Sequence, residues 1–336
     1  MKVQLIGLGN VSKSLIELLI NENERLNSLG YPFKIVSVSD SKGTAFDANG
    51  LNLKEILKYK KEGWASFIKY KEGYMALQAI KDIESDLVVE MTQSTLSGEP
   101  GLSHIKAALS SRKHVVTPNK GPLVVSFKEL MEMAKRNEVK LLYEATVAAH
   151  VPIFCLLSSC FIADEVVSVE GIFNATTNFI IGEIENGRSF KEALDQAIKA
   201  GWAEADYSDD VDGIDAARKV VILANTIYKS DFKLKDVKVE GIRNIEPLVK
   251  EAKGLSKKVK LVCEIKKKDD KIFLGVSPKM VAYDDPLSTI NRGDMGIKFY
   301  FKNSQNVFVS AQFKSPIQTA YAVLNDMIKV ASCNSC

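Results

Sequence analysis

The chain has 336 residues, 46% of them hydrophobic, and a net charge of +3, which is the composition of an ordinary soluble globular protein. A chain of this length is longer than one hydrophobic core usually supports, so we expect two domains. The small net charge and the absence of a basic run interleaved with aromatic residues argue against nucleic acids and acidic membranes as partners. A small-molecule substrate is the expected partner.

The location of the protein is indicated by two apolar stretches. The chain starts with KVQLIGLGN, a predicted strand and turn rather than a signal peptide. Residues 145–163 are uncharged and nearly as long as a membrane span. They contain His150 and Pro152 and are flanked by acidic residues, so we predict a buried turn followed by a core helix. A cytoplasmic protein is therefore expected.

The five cysteines have no framework spacing. Cys155, Cys160 and Cys263 stand in apolar runs and are predicted to be reduced core residues. Cys333 and Cys336 end the chain in a C-x-x-C. Free thiols in a frayed tail are the simpler expectation, and an interchain disulfide that regulates activity is the alternative.

The N-terminus has the features of a dinucleotide-binding turn. Residues 2–6 are a predicted strand, and Gly7 and Gly9 allow a tight turn and the close approach of a pyrophosphate. A helix that begins near Asn10 would point its free N–H groups at that anion. Ser12 takes the third position of the G-x-G-x-x-G fingerprint and is small enough for helix–strand packing. The candidate cofactor contacts here are Gly7, Gly9, Asn10 and Val11.

The second predicted strand, FKIVSVSD, ends at Asp40. An acid at this position normally binds the ribose hydroxyls of the adenosine and favours NAD. Lys42, two residues later, can instead hold a 2′-phosphate. The sequence therefore leaves both NAD and NADP open.

Two further predicted strands end in polar residues. Thr92 follows the strand that begins at Asp86, and Lys120 follows the strand HVVTP. Open α/β sheets place their ligands at the carboxyl ends of the strands. Thr92 and Lys120 are therefore candidate cofactor-binding residues, and this half is predicted to be a Rossmann-type doubly wound α/β sheet.

A second candidate site lies in GWAEADYSDDVDGIDAARKVVILA, residues 201–224. Asp215 and Lys219 are four residues apart and share one face of a predicted helix that is apolar nearly all round. Most such pairs are ordinary surface salt bridges, but a buried pair needs partners or a chemical role. Asp209 or Asp210 is expected to cap the helix.

Segments beyond residue 228 alternate between apolar and polar residues and are rich in predicted strands, such as KKVKLVCEIKK, GIKFYF and NVFVSAQF. They predict a mixed sheet in an α+β domain. The final segment, IQTAYAVLNDMIKVAS, has the apolar periodicity of a helix.

Four blocks follow one another behind the N-terminal G-x-G: HVVTPNKGPL, LLYEATVAAHVP, EGIFNATTNF and GWAEADYSDDVDGIDAARK. In this order and spacing they resemble homoserine dehydrogenases over most of residues 1–230. The resemblance implies an NAD(P)-binding domain over residues 1–140, completed by the C-terminal helix 314–332, and a catalytic and dimerisation domain over residues 141–313. It implies a homodimer and the reversible reduction of L-aspartate 4-semialdehyde to L-homoserine, a step in threonine, methionine and isoleucine biosynthesis.

The same resemblance implies roles for individual residues. Asp215 and Lys219 match the catalytic pair, and Lys120 matches the lysine of an asparagine-lysine motif. Ser315 matches a cofactor-binding position. The implied substrate-binding residues are Glu204, Asp210, Thr176 and Trp202. The implied ligands of a monovalent cation, Na⁺ or K⁺, are Glu144 and the backbone carbonyls of Val147, Ala149 and Val151.

These residues suit the chemistry. A lysine ammonium, Lys219 or Lys120, can stabilise the negative charge on the aldehyde oxygen and deliver a proton. Asp215 would orient Lys219. The α-ammonium of the substrate needs an acid, Glu204 or Asp210, and its α-carboxylate needs a cation, for which the other lysine is the candidate.

Several positions depart from the family pattern. Ala148-Ala149-His150 replaces a glycine-rich run, Ala175 replaces a glycine, and Trp202 stands where the family usually has tyrosine. These changes motivate two alternatives. One is a cofactor-binding regulatory paralogue without turnover, and the other is a dehydrogenase of a related amino-acid aldehyde.

Overall fold

The structure is a computed structural model, and it describes residues 1–203 and 206–332. The chain divides into two compact units. The first comprises Met1–Thr146 with Ser315–Cys336, and the second comprises Val147–Lys314. The predicted borders, after residue 140 and before residue 314, lie near these, and the roles assigned to the two domains stay predictions.

The described part of the first unit contains one seven-stranded sheet in the order β4-β3-β2-β1-β5-β6-β7. Its strands are β1 (Lys2–Ile6), β2 (Lys34–Ser39), β3 (Gly43–Phe46), β4 (Tyr70–Glu72), β5 (Leu87–Glu90), β6 (His114–Val116) and β7 (Leu141–Leu142). The strands from β2 through β7 in this spatial order are parallel, whereas β3 and β4 add an antiparallel edge. Because the central strands are parallel, the residues that follow β1, β5 and β6 meet at one edge of the sheet.

Six helices accompany this sheet before the chain enters the second unit. They are α1 (Asn10–Asn21), α2 (Asn23–Ser28), α3 (Leu53–Glu62), α4 (Ala76–Asp82), α5 (Gly101–Ser110) and α6 (Lys120–Arg136). Helix α1 buries Leu15 and Ile16 completely. Strand β5 is buried on both faces, as expected of a central parallel strand.

The described part of the second unit contains a six-stranded sheet in the order β13-β12-β8-β10-β11-β9. Its strands are β8 (Val166–Ile172), β9 (Val237–Val239), β10 (Lys257–Lys268), β11 (Lys271–Ala282), β12 (Met295–Phe301) and β13 (Asn306–Ala311). All neighbours are antiparallel except β9 and β11, which are parallel. The predicted mixed sheet is confirmed.

The described part of the second unit also contains six α-helices. They are α7 (Ile153–Ser159), α8 (Ala175–Glu185), α9 (Phe190–Lys199), α10 (Ser208–Val211), α11 (Ile214–Tyr228) and α12 (Glu246–Gly254). Helix α11 lies on β10 and β11, and α8 lies on β10. The last helix, α13 (Pro316–Ser332), returns to the first unit and packs on α1.

The prediction for residues 145–163 was wrong in part. Helix α7 is only 7 residues long, and Cys155 and Cys160 are exposed rather than buried. The apolar composition of this segment suggested a buried helix, but the helix is short and Ile153 is its one buried residue. Cys263 is buried, as predicted. None of the helices in residues 1–203 and 206–332 is both long enough and apolar enough to cross a membrane.

Two local expectations also need correction. Neither Asp209 nor Asp210 caps α11, because both belong to the short helix α10 and the N-cap is Gly213, with a φ of 79°. The segment KLLYEAT, residues 140–146, has the composition of a single strand, but the strand stops at Leu142 and a 3-10 helix, Glu144–Thr146, follows.

Candidate functional site

The centre of the candidate site in the second unit is the pair Asp215 and Lys219 on α11. Lys219 Nζ lies 2.7 Å from Asp215 Oδ2, and the two side chains are 11% and 13% exposed. Lys219 Nζ also donates a hydrogen bond to the backbone carbonyl of Phe173 at 2.5 Å. The helix is buried on nearly all sides, so this pair is not an ordinary surface salt bridge.

A single amide group joins two acids of this site. Asn174 Nδ2 donates to Asp210 Oδ1 at 2.6 Å and to Asp215 Oδ2 at 2.9 Å. Its Oδ1 accepts from the backbone N–H of Thr177 and so caps helix α8. Asn174 was not among the predicted site residues, although an asparagine that caps a helix with its Oδ1 keeps its Nδ2 available as a donor.

The two neighbouring acids differ in their electrostatics. Burial, and then the nearby carboxylate of Asp215, raises the pKa of Asp210 above its usual range, although Asn174 and Lys219 oppose this. Lys219 compensates the charge of Asp215 at close range. A cationic ligand group beside Asp210 would therefore relieve the repulsion between the two carboxylates.

Trp202 and Thr176 form another part of the same unit. Thr176 Oγ1 donates to the carbonyl of Trp202 at 2.6 Å. The indole ring stacks on Phe179 at a centroid distance of 5.9 Å and lies tilted against Phe313 at 6.2 Å. A Cβ added to Gly293 would meet the indole at 2.2 Å, so the ring occupies space that only a glycine leaves open. Glu204, the remaining predicted substrate-binding residue, lies outside the described residues.

In the first unit, the turn after β1 has the backbone that a dinucleotide needs. Gly7 has a φ of 88°, and a Cβ there would lie 2.7 Å from the carbonyl of Met91. Gly9 is the N-cap of α1 and supplies no side-chain cap, while a Cβ on it would meet nothing within 4 Å. The N–H groups of Asn10 and Val11 lie in the first turn of this helix, where no intrahelical acceptor is available, and their contact with a pyrophosphate stays a prediction. Ser12 is fully buried, as its packing role predicts.

Asp40 at the end of β2 is held by donors of its own unit. Oδ1 accepts from the backbone N–H of Lys42 at 2.9 Å and from Tyr70 OH at 2.9 Å. Oδ2 accepts from Lys60 Nζ and Trp64 Nε1, both at 2.9 Å. Burial favours the neutral acid, but these hydrogen bonds outweigh it and hold the pKa of Asp40 at about 2. Sequence reasoning missed Lys60, Trp64 and Tyr70, which are remote in the chain.

The residues after β5 and β6 are joined by Glu90, which has no exposed side-chain surface. Glu90 accepts from the backbone N–H of Thr92 at 2.9 Å and from Asn119 Nδ2 at 3.0 Å. Asn119 caps helix α6, whose first residue is Lys120. Thr92 and Lys120 thus follow neighbouring strands, as predicted, and Glu90 lies beneath them.

The positions of the predicted cation ligands are divided between the units. Glu144 is buried in the first unit, where its backbone N–H donates to Asp326 Oδ2 at 2.8 Å. Val147, Ala149 and Val151 belong to the second unit, and the Val151 carbonyl accepts from Ile153 N–H at 2.8 Å.

The alanines that replace family glycines keep a glycine-like backbone. Ala148 and Ala149 both have a φ of 52°, so this segment retains the left-handed conformation without glycine. Ser315, at the other end of the first unit, donates its N–H to Gln318 Oε1 at 2.9 Å. Its cofactor contact and the cation site stay predictions.

Family models match both parts of the chain. The model of homoserine dehydrogenase matches residues 152–328, and the model of the homoserine dehydrogenase NAD-binding domain matches residues 7–144. Together they cover the elements that carry both groups of candidate residues.

Individual relatives agree with these models. The homoserine dehydrogenase of Methanocaldococcus jannaschii is 36% identical over 98% of both chains. The NAD(+)-dependent homoserine dehydrogenase of Pseudomonas canavaninivorans is 32% identical over 98% of this chain and 96% of its own. The crystal structure of homoserine dehydrogenase from Thermoplasma acidophilum superimposes with a TM-score of 0.85 at 29% identity, and 99% of each chain is covered. Matches of this length and identity leave one conclusion: the chain belongs to the homoserine dehydrogenase family.

Proposed function

We propose that this chain catalyses the reaction of its family, the reversible NAD(P)-dependent reduction of L-aspartate 4-semialdehyde to L-homoserine, with Lys219 and Asp215 at the reacting oxygen. The observation that carries this proposal is the buried set of Lys219, Asp215, Asn174 and Asp210, joined by contacts of 2.6–2.9 Å. Burying charged groups costs free energy even when they are paired, so such sets commonly mark a ligand or reaction site.

Each residue of this set has a role that follows from its geometry. The nicotinamide of a bound cofactor supplies or accepts the hydride. Lys219 is held in place by Asp215 and by the carbonyl of Phe173, and its ammonium stabilises the charge that develops on the substrate oxygen and donates the proton. Asp210, whose pKa is raised by burial and by Asp215, receives the α-ammonium of the substrate. Lys120 and Glu204 keep the roles that the family resemblance implies.

The environment of Asp40 favours NADP over NAD. Every oxygen of this carboxylate already accepts hydrogen bonds from the protein, so ribose hydroxyls would have to displace a donor. Lys60, at 2.9 Å, balances the negative charge that would otherwise repel a 2′-phosphate. Lys42 lines the same pocket as Asp40 and Lys60 and adds a second positive charge to it. We expect NADP(H) to bind more tightly than NAD(H).

An apolar surface of the second unit supports a homodimer. Ile162 is 76% exposed, and Phe154, Leu157 and Phe161 line the same groove. Exposed apolar surface of this kind commonly marks an interface. We propose that a second copy covers it in a cytoplasmic homodimer. The alternative of an interchain disulfide concerns Cys333 and Cys336, which lie outside the described residues.

The direct test is homoserine-dependent reduction of NADP⁺ and of NAD⁺ by the purified protein at alkaline pH, with and without KCl and a reductant. Turnover with homoserine and a higher kcat/KM for NADP⁺ are expected. A protein that binds NADPH but turns over no homoserine under any condition would instead be the regulatory paralogue. Faster turnover of another amino-acid alcohol would favour the related-aldehyde alternative, with Trp202 shaping the pocket.

A further inference from the structure

Glu90 is a buried acid to which none of the roles above assigns a function. It ends strand β5 at the ligand edge of the first unit, and its side chain has no exposed surface. A carboxylate in such a place is stable only if donors surround it.

The donors of Glu90 belong to the two chain segments that follow β5 and β6. Oε1 accepts from the backbone N–H of Thr92 at 2.9 Å and from the Thr92 hydroxyl. Oε2 accepts from Asn119 Nδ2 at 3.0 Å and from Thr117 Oγ1 at 3.3 Å. One side chain thus fixes the orientation of residues on both neighbouring strand ends.

The connection continues from Asn119 into a helix. Asn119 Oδ1 accepts from the backbone N–H of Gly121 at 3.1 Å, which caps helix α6. Since Nδ2 of the same amide is held by Glu90, the amide has one orientation, and the first turn of α6 with Lys120 is fixed relative to Thr92.

The first turn of helix α5 lies beside the carboxylate of Glu90 and favours its negative charge. A Cβ on its first residue, Gly101, would lie 3.0 Å from Glu90 Oε2 and 2.6 Å from Asn119 Nδ2, so the helix start abuts the pair. His104 of the same helix brings Nδ1 to 3.8 Å from Glu90 Oε1. The positive end of the helix dipole therefore faces the carboxylate.

We propose that Glu90 is a positioning residue for cofactor binding, which sets Thr92 and the Lys120 turn of α6 in the arrangement that the nicotinamide half of NAD(P) requires. The proposal rests on the proposed function, because it takes this sheet edge to be the cofactor site. Glu90 itself does not contact the cofactor and takes no proton in the reaction.

The test is NADPH binding followed by nicotinamide fluorescence, which needs no turnover, together with the KM values for NADP⁺ and homoserine. Glu90→Gln is expected to raise the NADPH Kd and the NADP⁺ KM roughly tenfold while the homoserine KM changes less than twofold. Glu90→Asp keeps the charge but loses the reach, so it should show the same loss. The matched control is Gln4→Leu, which removes another fully buried polar side chain of the sheet, bonded to Ile83 and Ser85.

A double-mutant cycle separates positioning from general destabilisation. Thr92→Val should weaken NADPH binding as Glu90→Gln does, and the double variant should be no weaker than the worse single variant, because both break one connection. NADPH binding by Glu90→Gln within twofold of wild type, or full additivity in the cycle, would overturn the proposal. If Glu90→Gln does not fold, as judged by circular dichroism, Thr92→Val and Glu90→Asp decide the matter by the same criteria.

The two proposals fail in different ways. Wild-type protein that binds NADPH but does not turn over homoserine refutes the proposed function and leaves the Glu90 measurement valid. Wild-type protein that binds neither NADPH nor NADH refutes both.

Discussion

Each unit contains a cluster of side chains around a buried or half-buried aspartate, and the pKa of that aspartate is lowered in the first unit and raised in the second. Around Asp40, one carboxylate accepts from Lys60, Trp64, Tyr70 and the backbone, and its pKa falls to about 2. Around α11, two carboxylates share the amide of Asn174, and the pKa of one of them, Asp210, is raised. A saturated acid, whose carboxylate oxygens all accept hydrogen bonds from the protein, stabilises the surrounding structure. A crowded acid, which lies beside a second carboxylate, is instead suited to bind a cationic ligand group.

The largest effect on turnover is expected from removing Lys219, the cation of the cluster around α11. Lys219→Met should lower kcat by about 10³-fold, because the charge on the substrate oxygen loses its stabiliser and its proton donor. The NADPH Kd should stay within twofold of wild type. Lys267→Met, which removes a surface lysine bonded to Glu165, is the control. Turnover within tenfold of wild type would reject the assignment of Lys219.

Neutralising the crowded acid should affect binding more than chemistry. Asp210→Asn should raise the homoserine KM roughly 30-fold, the loss of one charge-assisted hydrogen bond of about 2 kcal/mol. Since the pKa of Asp210 is raised, the wild-type KM should fall as the pH rises through it and the carboxylate forms. The variant should lack this dependence. The control is Asp209→Asn on the same short helix, where the acid pairs with Arg218 at 2.7 Å.

The saturated cluster is expected to act on cofactor choice. Lys60→Met leaves the charge of Asp40 unbalanced, so the ratio of kcat/KM for NADP⁺ to that for NAD⁺ should fall about tenfold. Lys58→Met, two residues earlier on α3, removes a lysine that pairs with Glu62 instead and should leave the ratio unchanged. A ratio within twofold of wild type in Lys60→Met would reject the role of Lys60 in cofactor choice.

A buried lysine outside both clusters should give the smallest effect, on stability. Burial lowers the pKa of Lys260 from 10.5 to about 8, with Glu185 and Asp294 opposing this and Lys258 adding to it. Between these pH values the unfolded chain binds more protons, so the free energy of unfolding should rise with pH, by roughly 3 kcal/mol at most. Urea denaturation from pH 7 to 10.5 should show a smaller rise in Lys260→Met. The control, Lys268→Met at the exposed end of the same strand, should keep the wild-type slope.

Much of the fold was predictable because periodicity and turn residues act locally. The strand and glycine turn at residues 2–9, the buried helix of Asp215 and the C-terminal helix were all predicted and are present. The antiparallel strands β3 and β4 were not, because residues 50–82 contain helical patterns that dominate the local signal. The lysine-rich stretch of residues 250–271 is typical of solvated strand faces, yet Lys260 within it is 1% exposed, and Asn178 and the Ile290 carbonyl accept its hydrogen bonds.

The residues of the candidate sites could be predicted only where they lie close together in the sequence or within one of the family-like blocks. Asp215 and Lys219 are neighbours on one helix, so their spacing predicts the contact. Asn174 reaches Asp210 and Asp215 from 36 and 41 residues away, and Trp64 reaches Asp40 from 24 residues away. No local pattern encodes such contacts, because they depend on how elements pack.

The short helix α7 offers a practical way to follow assembly. Its thiols, Cys155 and Cys160, are exposed on the segment that carries Phe154, Leu157 and Phe161. Accessible thiolates react readily with alkylating reagents, whereas covered ones do not. The rate at which these two thiols are alkylated, measured against protein concentration, therefore reports how much of this surface is covered. A fluorophore attached to the same thiols would report the exchange of subunits.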